Sequence, residues 1–94
     1  MDIQRLILDA IVGVQKISGE PDTPVGLDTC PINELPGFDS QRGLETTIQI
    51  EADIGIEITD RNLFIAEKTY VLLTVREIVA RVKFLLTERG MGND

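Results

Sequence analysis

Apolar residues recur along the first part of the chain at the spacing of one helix face. Positions i, i+3, i+4 and i+7 of an amphipathic helix lie on one side, and residues 3–17 repeat that spacing. The pattern predicts a helix that ends at Ser18-Gly19, since glycine commonly ends helices. The apolar stripe consists of Ile3, Leu6, Ile7, Ala10, Ile11, Val14 and Ile17.

A second clear stripe predicts a helix over residues 75–88. Thr74 and Glu77 have the spacing of a capping box, in which each side chain accepts a hydrogen bond from the other residue's backbone N–H. Leu73 and Ile78 are placed to form the hydrophobic staple that often accompanies it. This is the best-marked helix start in the sequence.

The middle of the chain has an ambiguous pattern. Over 48–58, isoleucines and one alanine alternate with polar residues or glycine, which is typical of a half-buried strand. Residues 41–54 also sort into a polar face and a wide apolar face at roughly 100° per residue, with Glu51 as the misfit. A lone strand would have no pairing partner, and no second candidate strand is evident. We therefore predict a helix over 40–54 and an extended exit.

Two stretches between these helices are less regular. Residues 18–38 hold all four prolines and predict a loop of about 20 residues, which is long for a small domain. Residues 59–73 begin with a turn, and we predict a short helix over 60–69. Residues 71–73 could equally be extended. The expected architecture is all-α, a single domain over 1–94.

Composition narrows the possible functions. The 94-residue chain has 16 acidic and 9 basic residues, no histidine and one cysteine. A net charge of −7 disfavours nucleic acid as a partner. The lack of histidine removes the commonest general base and metal ligand, so we expect a protein that is not an enzyme. No apolar run is long enough to span a membrane, and the N-terminus does not have the pattern of a signal peptide, so we expect a cytoplasmic protein.

A short motif precedes the middle helix and a second one follows it. Gly37-Phe38-Asp39-Ser40 leads into Leu44-Glu45, and the chain leaves the helix through Gly55-Ile56-Glu57-Ile58. With Glu51 and Thr74-Val75 at matching positions, the chain resembles the acyl carrier protein family over about residues 3–88. That resemblance supports a helix over 40–54 and gives Glu51 a counterpart in the family.

The resemblance implies a fold and a modification. The fold would be a four-helix acyl-carrier-like bundle with a long first loop and a short third helix. Ser40 would be the attachment site of 4'-phosphopantetheine, with Asp39 as the flanking motif residue. A Mg²⁺-dependent phosphopantetheinyl transferase would supply the arm from coenzyme A. The thiol of the arm would carry an acyl or aminoacyl group as a thioester.

The resemblance also implies partners. In this family the helix after the serine docks on basic patches of the enzymes that load and use the acyl group. That role passes to Asp39, Glu45 and Asp53 here, and we expect a monomer. Gln41 and Arg42 depart from the family pattern, and Arg42 would make the docking face less negative. The family implies fatty acid biosynthesis and lipid metabolism, whereas these departures favour a specialised biosynthetic pathway.

A second interpretation of Ser40 involves no attached group. Ser40 could serve only as the start of a helix, because a short hydroxyl side chain suits that position. The chain would then be an unmodified acidic protein-interaction module with the same fold. Attachment at Ser40 and the unmodified module remain the two hypotheses.

Overall fold

The computed structural model describes residues 1–58 and 62–88 of the chain. These residues form four α-helices: α1 (Ile3–Ile17), α2 (Pro31–Glu34), α3 (Ser40–Ile54) and α4 (Val75–Glu88). No strand is present among the described residues, so the all-α prediction is confirmed. The three long helices have the bounds that were predicted from the sequence.

Helix α1 contacts both α3 and α4, and the core lies between these three helices. Asp2 caps α1, since its side chain accepts a hydrogen bond from the backbone N–H of Arg5 at 3.1 Å. The buried face of α1 includes Gln15, a polar residue at the edge of the apolar stripe. The buried apolar residues of the core are Ile3, Ile7, Ala10, Ile11, Leu35, Phe38, Ile50, Ile54, Ile58, Leu63, Phe64, Val75, Ile78, Val79, Val82 and Leu86.

Helix α4 begins with the predicted capping box. The backbone N–H of Thr74 donates to Glu77 Oε1 at 2.8 Å, and the backbone N–H of Glu77 donates to Thr74 Oγ1 at 3.3 Å. Leu73 packs against the core beside it. No helix among the described residues is long and apolar enough to cross a membrane.

The first loop, residues 18–39, contains the one-turn helix α2, which the sequence did not predict. Pro31 stands at its first position, where a missing N–H costs nothing. The loop also completes the start of α4. The backbone N–H groups of Val75 and Arg76 donate to the carbonyls of Thr29 and Leu27 at 2.9 and 2.8 Å. The loop is thereby joined to the start of α4 at Leu27 and Thr29.

The predicted short helix over 60–69 is wrong for the residues that are described, 62–69, which form turns; residues 60 and 61 lie outside the described ranges. Leu72 forms an antiparallel bridge with Ile65, so the extended alternative for 71–73 holds at Leu72. The backbone N–H of Ala66 donates to Val71 O, and that of Leu73 to Phe64 O, both at 2.9 Å. These backbone groups pair across a turn instead of along a helix. We call residues 62–74 the second connection.

Candidate functional site at the start of α3

Ser40 is the first helical residue of α3 and its side chain is exposed. The N-cap is the preceding residue, Asp39, whose carboxylate accepts a hydrogen bond from the backbone N–H of Arg42 at 2.9 Å. Among the described residues, no hydrogen bond involves the Ser40 hydroxyl. Helix capping is therefore provided by Asp39, and the Ser40 hydroxyl is left available for other chemistry.

The first turn of α3 also presents unused backbone donors. The N–H groups of Ser40 and Gln41 make no hydrogen bond within the described part of the chain. Free N–H groups and the helix dipole together favour a negative group at a helix N-terminus. A phosphodiester on the Ser40 oxygen would lie beside these donors. The start of α3 thus fits the group that the sequence motif implies.

Arg42 does not extend into the solvent from this turn. Its Nη1 donates to Glu20 Oε2 at 2.7 Å and to Gln15 Oε1 at 3.0 Å. The Gln15 Nε2 donates in turn to Pro36 O at 2.7 Å. The side chains of Arg42 and Glu20 are only 19% and 22% exposed. We call Gln15, Glu20 and Arg42 the loop clamp, because they join α1, the first loop and α3.

The clamp corrects one sequence expectation. Arg42 was expected to make a docking face on α3 less negative, but its charge is paired with Glu20 at the edge of the core. Gln41, the other departure from the family pattern, is exposed. The acidic residues on the outer surface of α3 are therefore not neutralised by Arg42.

The clamp also explains the glycine of the Gly-x-Asp-Ser motif. Gly37 has a backbone φ of +67°, in the left-handed region that residues with a Cβ rarely adopt. A Cβ at this position would meet the carboxylate of Glu20 and the guanidinium of Arg42. Glycine is required here both by the backbone conformation and by the space that the clamp occupies.

The second connection holds the other side of the α3 start. Asn62 Nδ2 donates to Ser40 O at 2.9 Å, and Asn62 Oδ1 accepts from the backbone N–H of Phe64 at 3.0 Å. The Asn62 amide packs on Gly43, where a Cβ would lie 3.0 Å from its oxygen. Thr47 Oγ1 donates to Gly43 O at 2.8 Å and accepts from the backbone N–H of Leu63 at 3.0 Å.

Sequence reasoning missed Gln15, Thr47 and Asn62. Each is a polar residue whose role depends on a partner that is distant in the sequence. The only available signals were a glutamine at the edge of the apolar stripe of α1 and a threonine within the apolar arc of α3. Neither signal identifies its partner, so only the structure assigns these roles.

Two further predicted residues, Glu45 and Asp53, are exposed on α3 but far around the helix from Ser40. At roughly 100° per residue, they lie about 140° and 220° from it. Together with Gln49, whose Nε2 donates to Asp53 Oδ1 at 2.9 Å, they line a groove against α1. The structure therefore brings Asp39 and Ser40 together and separates them from Glu45 and Asp53.

Leu44 and Ile48 lie on the same side of α3 as Ser40, one and two turns after it. These two residues are 37% and 58% exposed, although both are aliphatic. They form an apolar strip that leads away from the Ser40 hydroxyl. The surface next to the candidate attachment site is therefore apolar, and the acidic surface of α3 is elsewhere.

The misfit Glu51 has a structural role at the other end of α3. Its Oε2 accepts a hydrogen bond from the backbone N–H of Ile58 at 3.2 Å. Gly55, at φ +82°, ends the helix in the left-handed conformation that favours glycine. Glu51 therefore fixes the exit of the chain from α3, which explains a carboxylate on the inner side of the helix.

Neither a metal-binding group among the described residues nor a matching known protein accompanies this site. The described residues hold no group of three or more histidine, cysteine or acidic side chains that could bind a metal ion. In comparisons with known proteins, no family model, curated protein or solved structure matched the chain. The function is therefore inferred from the sequence motif and from the geometry around Ser40.

Proposed function

We propose that the protein is an acyl carrier whose Ser40 bears a 4'-phosphopantetheine arm. The observation that carries this proposal is the position of the Ser40 hydroxyl. It is exposed at the start of a long helix and makes no hydrogen bond to the residues that the structure describes, while Asp39 provides the helix cap. A side chain that serves only as a cap would be expected to accept a hydrogen bond from the helix N–H groups.

In the attachment reaction, the carrier itself supplies only the Ser40 oxygen. A phosphopantetheinyl transferase joins Ser40 Oγ to the phosphorus atom that bears the pantetheine of coenzyme A. The pyrophosphate bond breaks, adenosine 3',5'-bisphosphate leaves, and the transferase accepts the serine proton. The attached arm supplies a thiol that holds an acyl or aminoacyl group as a thioester. The N–H groups of Ser40 and Gln41 stabilise the phosphodiester anion.

The surroundings of Ser40 support this role mechanically. The loop clamp holds the chain before Ser40, and Asn62 holds the Ser40 carbonyl from the other side. A serine whose backbone is fixed and whose hydroxyl is exposed can be presented repeatedly to different enzymes. The exposed Leu44 and Ile48 offer those enzymes an apolar contact next to the arm.

We place this carrier in the cytoplasm as a monomer. One cysteine in 94 residues fits a reducing compartment. Its partners are the transferase and the enzymes that load and use the acyl group, with basic patches that meet Asp39, the exposed acid beside Ser40. The departures at Gln41 and Arg42 favour a specialised biosynthetic pathway over general fatty acid biosynthesis.

Incubation with coenzyme A, Mg²⁺ and a phosphopantetheinyl transferase of broad specificity tests the proposal. Intact-mass spectrometry should show the addition of one phosphopantetheine to the wild-type chain. The addition should be lost in Ser40→Ala and kept in Ser18→Ala, a matched control because Ser18 is also exposed at a helix end. No addition with any of several transferases would contradict the proposal.

The second candidate is an unmodified protein-interaction module. The exposed Leu44 and Ile48 favour it, because exposed aliphatic side chains on one helix face are common at protein interfaces. This candidate predicts that no transferase modifies the chain. It also predicts that Ser40→Ala leaves the biological role intact, whereas charged substitutions at Leu44 and Ile48 abolish it.

A further inference from the structure

A groove lies between α1 and α3, on the side of α3 away from Ser40. It has a volume of about 390 Å³, and its floor is formed by small or apolar residues of α1, including Gly13, Val14 and Ile17. A Cβ at Gly13 would meet no heavy atom within 4 Å, so the floor is open there. Ile17 is 90% exposed at the end of α1. The described residues leave this apolar floor uncovered.

The rim of the groove carries negative charge. Asp9 comes from α1, and Glu45 and Asp53 come from α3. All three residues are exposed. The only basic residue paired with the rim in the described part of the chain is Arg5, 3.8 Å from Asp9 in an exposed ion pair that contributes little. An occupant with positive charge around an apolar face would therefore match the groove.

The geometry of the groove matches a helix. Asp9, Gly13 and Ile17 are spaced at i, i+4 and i+8 along α1, and Glu45, Gln49 and Asp53 have the same spacing along α3. Eight residues of helix rise about 12 Å, so the groove extends over about two turns. A third helix would present side chains at the same repeat.

The groove is also turned away from Ser40. Glu45, Gln49 and Asp53 lie roughly 140–220° around α3 from Ser40. Ser40 does not line the groove, and neither Leu44 nor Ile48 does so. A molecule in the groove would leave the Ser40 hydroxyl and the apolar strip beside it uncovered.

We infer that the α1–α3 groove docks a basic amphipathic helix of a partner protein. The apolar side chains of that helix cover Val14 and Ile17, and its lysine or arginine side chains pair with Asp9, Glu45 and Asp53. The bound partner leaves Ser40 and the apolar strip beside it uncovered, so the groove serves as a tether. This inference does not depend on attachment at Ser40, and either can fail without the other.

The test uses a short synthetic helical peptide with leucine on one face and lysine on the other. Binding to the ¹⁵N-labelled full chain is followed by NMR chemical shifts. The shifts should concentrate in residues 9–17 and 45–53. Two control peptides should bind at least several-fold more weakly. One replaces lysine by glutamate, and the other keeps the composition but scrambles the order so that no apolar face forms.

Variants locate the binding surface. Gly13→Leu fills the open floor and should abolish the localised shifts, while Gln4→Leu, at an exposed position of α1 outside the groove, should not. Glu45→Gln and Asp53→Asn should each weaken binding about two- to five-fold, as expected for one exposed ion pair. Glu67→Gln, an exposed acid elsewhere, should leave affinity unchanged. Retained helical circular dichroism shows that each variant is folded.

Changes at Ser40 test whether peptide binding in the groove is independent of the attachment site. Ser40→Ala should bind the peptide as tightly as the wild type does, and so should chain already modified at Ser40. Three results would overturn the inference: shifts spread over all acidic surfaces, shifts centred on Leu44 and Ile48, or affinity that Gly13→Leu leaves unchanged. An absence of binding by the amphipathic peptide would overturn it as well.

Discussion

The two irregular segments that hold the start of α3 do so by different physical means. The first loop is joined to α3 by the loop clamp, a polar contact at the edge of the core. The second connection is joined to it through Asn62 and Thr47, with Leu63 and Phe64 fully buried beside them. Both segments contribute buried apolar residues, but the clamp contact of the first loop to α3 is a partly exposed ion pair, whereas the second connection reaches α3 through a buried hydrogen bond from Leu63 to Thr47. Changes to the two sides should therefore differ in cost.

The largest effect should come from the buried side. Phe64 is 0% exposed and packs on Phe38 with ring centroids 5.1 Å apart. Phe64→Ala should lower the free energy of unfolding by about 3–5 kcal/mol, measured by urea denaturation, because it removes apolar contacts and leaves a cavity. The control is Phe84→Ala on α4, where 62% exposure predicts a change within about 0.5 kcal/mol. Equal effects would contradict the assignment of the core.

The next effect should come from the hydrogen bond that attaches the second connection. Thr47→Val keeps the shape of the side chain but leaves the buried N–H of Leu63 without an acceptor. The free energy of unfolding should therefore fall by about 2 kcal/mol. Thr46→Val is the matched control, since the one hydrogen bond of the Thr46 hydroxyl among the described residues is to the Arg42 carbonyl. Its cost should be about 1 kcal/mol or less. If Thr46→Val cost as much as Thr47→Val, the special role of Thr47 would be wrong.

On the side of the first loop, Gly37→Ala should lower the free energy of unfolding by about 1–2 kcal/mol, because alanine is strained at a positive φ. The new methyl group would also displace the clamp. Gly26→Ala is the control, because its φ is not in the left-handed region and nothing lies within 4 Å of a Cβ there. Its effect on the midpoint of urea unfolding should be small or stabilising. A Gly37→Ala chain as stable as Gly26→Ala would contradict the strain argument.

The smallest change should come from the clamp itself. Arg42→Met should lower the free energy of unfolding by about 1 kcal/mol, since the ion pair with Glu20 is partly exposed. Hydrogen exchange should accelerate at the amide of Phe38 and stay unchanged at the amide of Leu63. Glu20→Gln should have less effect in the Arg42→Met background than in the wild type, because the two residues share one contact. Faster exchange on both sides would mean that the two segments are not independent.

The sequence predicts best what depends on local patterning. The bounds of α1 and α4 follow from apolar stripes, and the capping box of α4 follows from Thr74 and Glu77. The pattern of α3 also fits a strand, and the helix was predicted because no pairing strand was evident and because the family resemblance supports it. The adjacency of Asp39 and Ser40 at a helix start follows from the motif. These features were predictable because each depends on residues within a few positions of one another.

Structural features that depend on residues far apart in the sequence were not predictable. Leu63-Phe64 fits a helix as well as an extended segment, and the outcome depends on acceptors and donors from other elements. Arg81 of α4 donates to the carbonyl of Ile65 at 3.0 Å, and Thr47 accepts from Leu63. The groove and the clamp likewise exist only once α1 and α3 are packed together. Arg42, for this reason, was assigned to the outer surface of α3 from sequence.

The most direct test of the central claim locates the attached group on the chain. After the transferase reaction, trypsin should cleave after Lys16 and Arg42, so that Ser18, Thr23, Thr29 and Ser40 fall in one peptide, 17–42. Fragmentation in the mass spectrometer distinguishes these four hydroxyls. The account predicts one phosphopantetheine, carried by the fragments that contain Ser40 and absent from those that end before it. Attachment to another residue, or an unmodified peptide after treatment with several transferases, would contradict it.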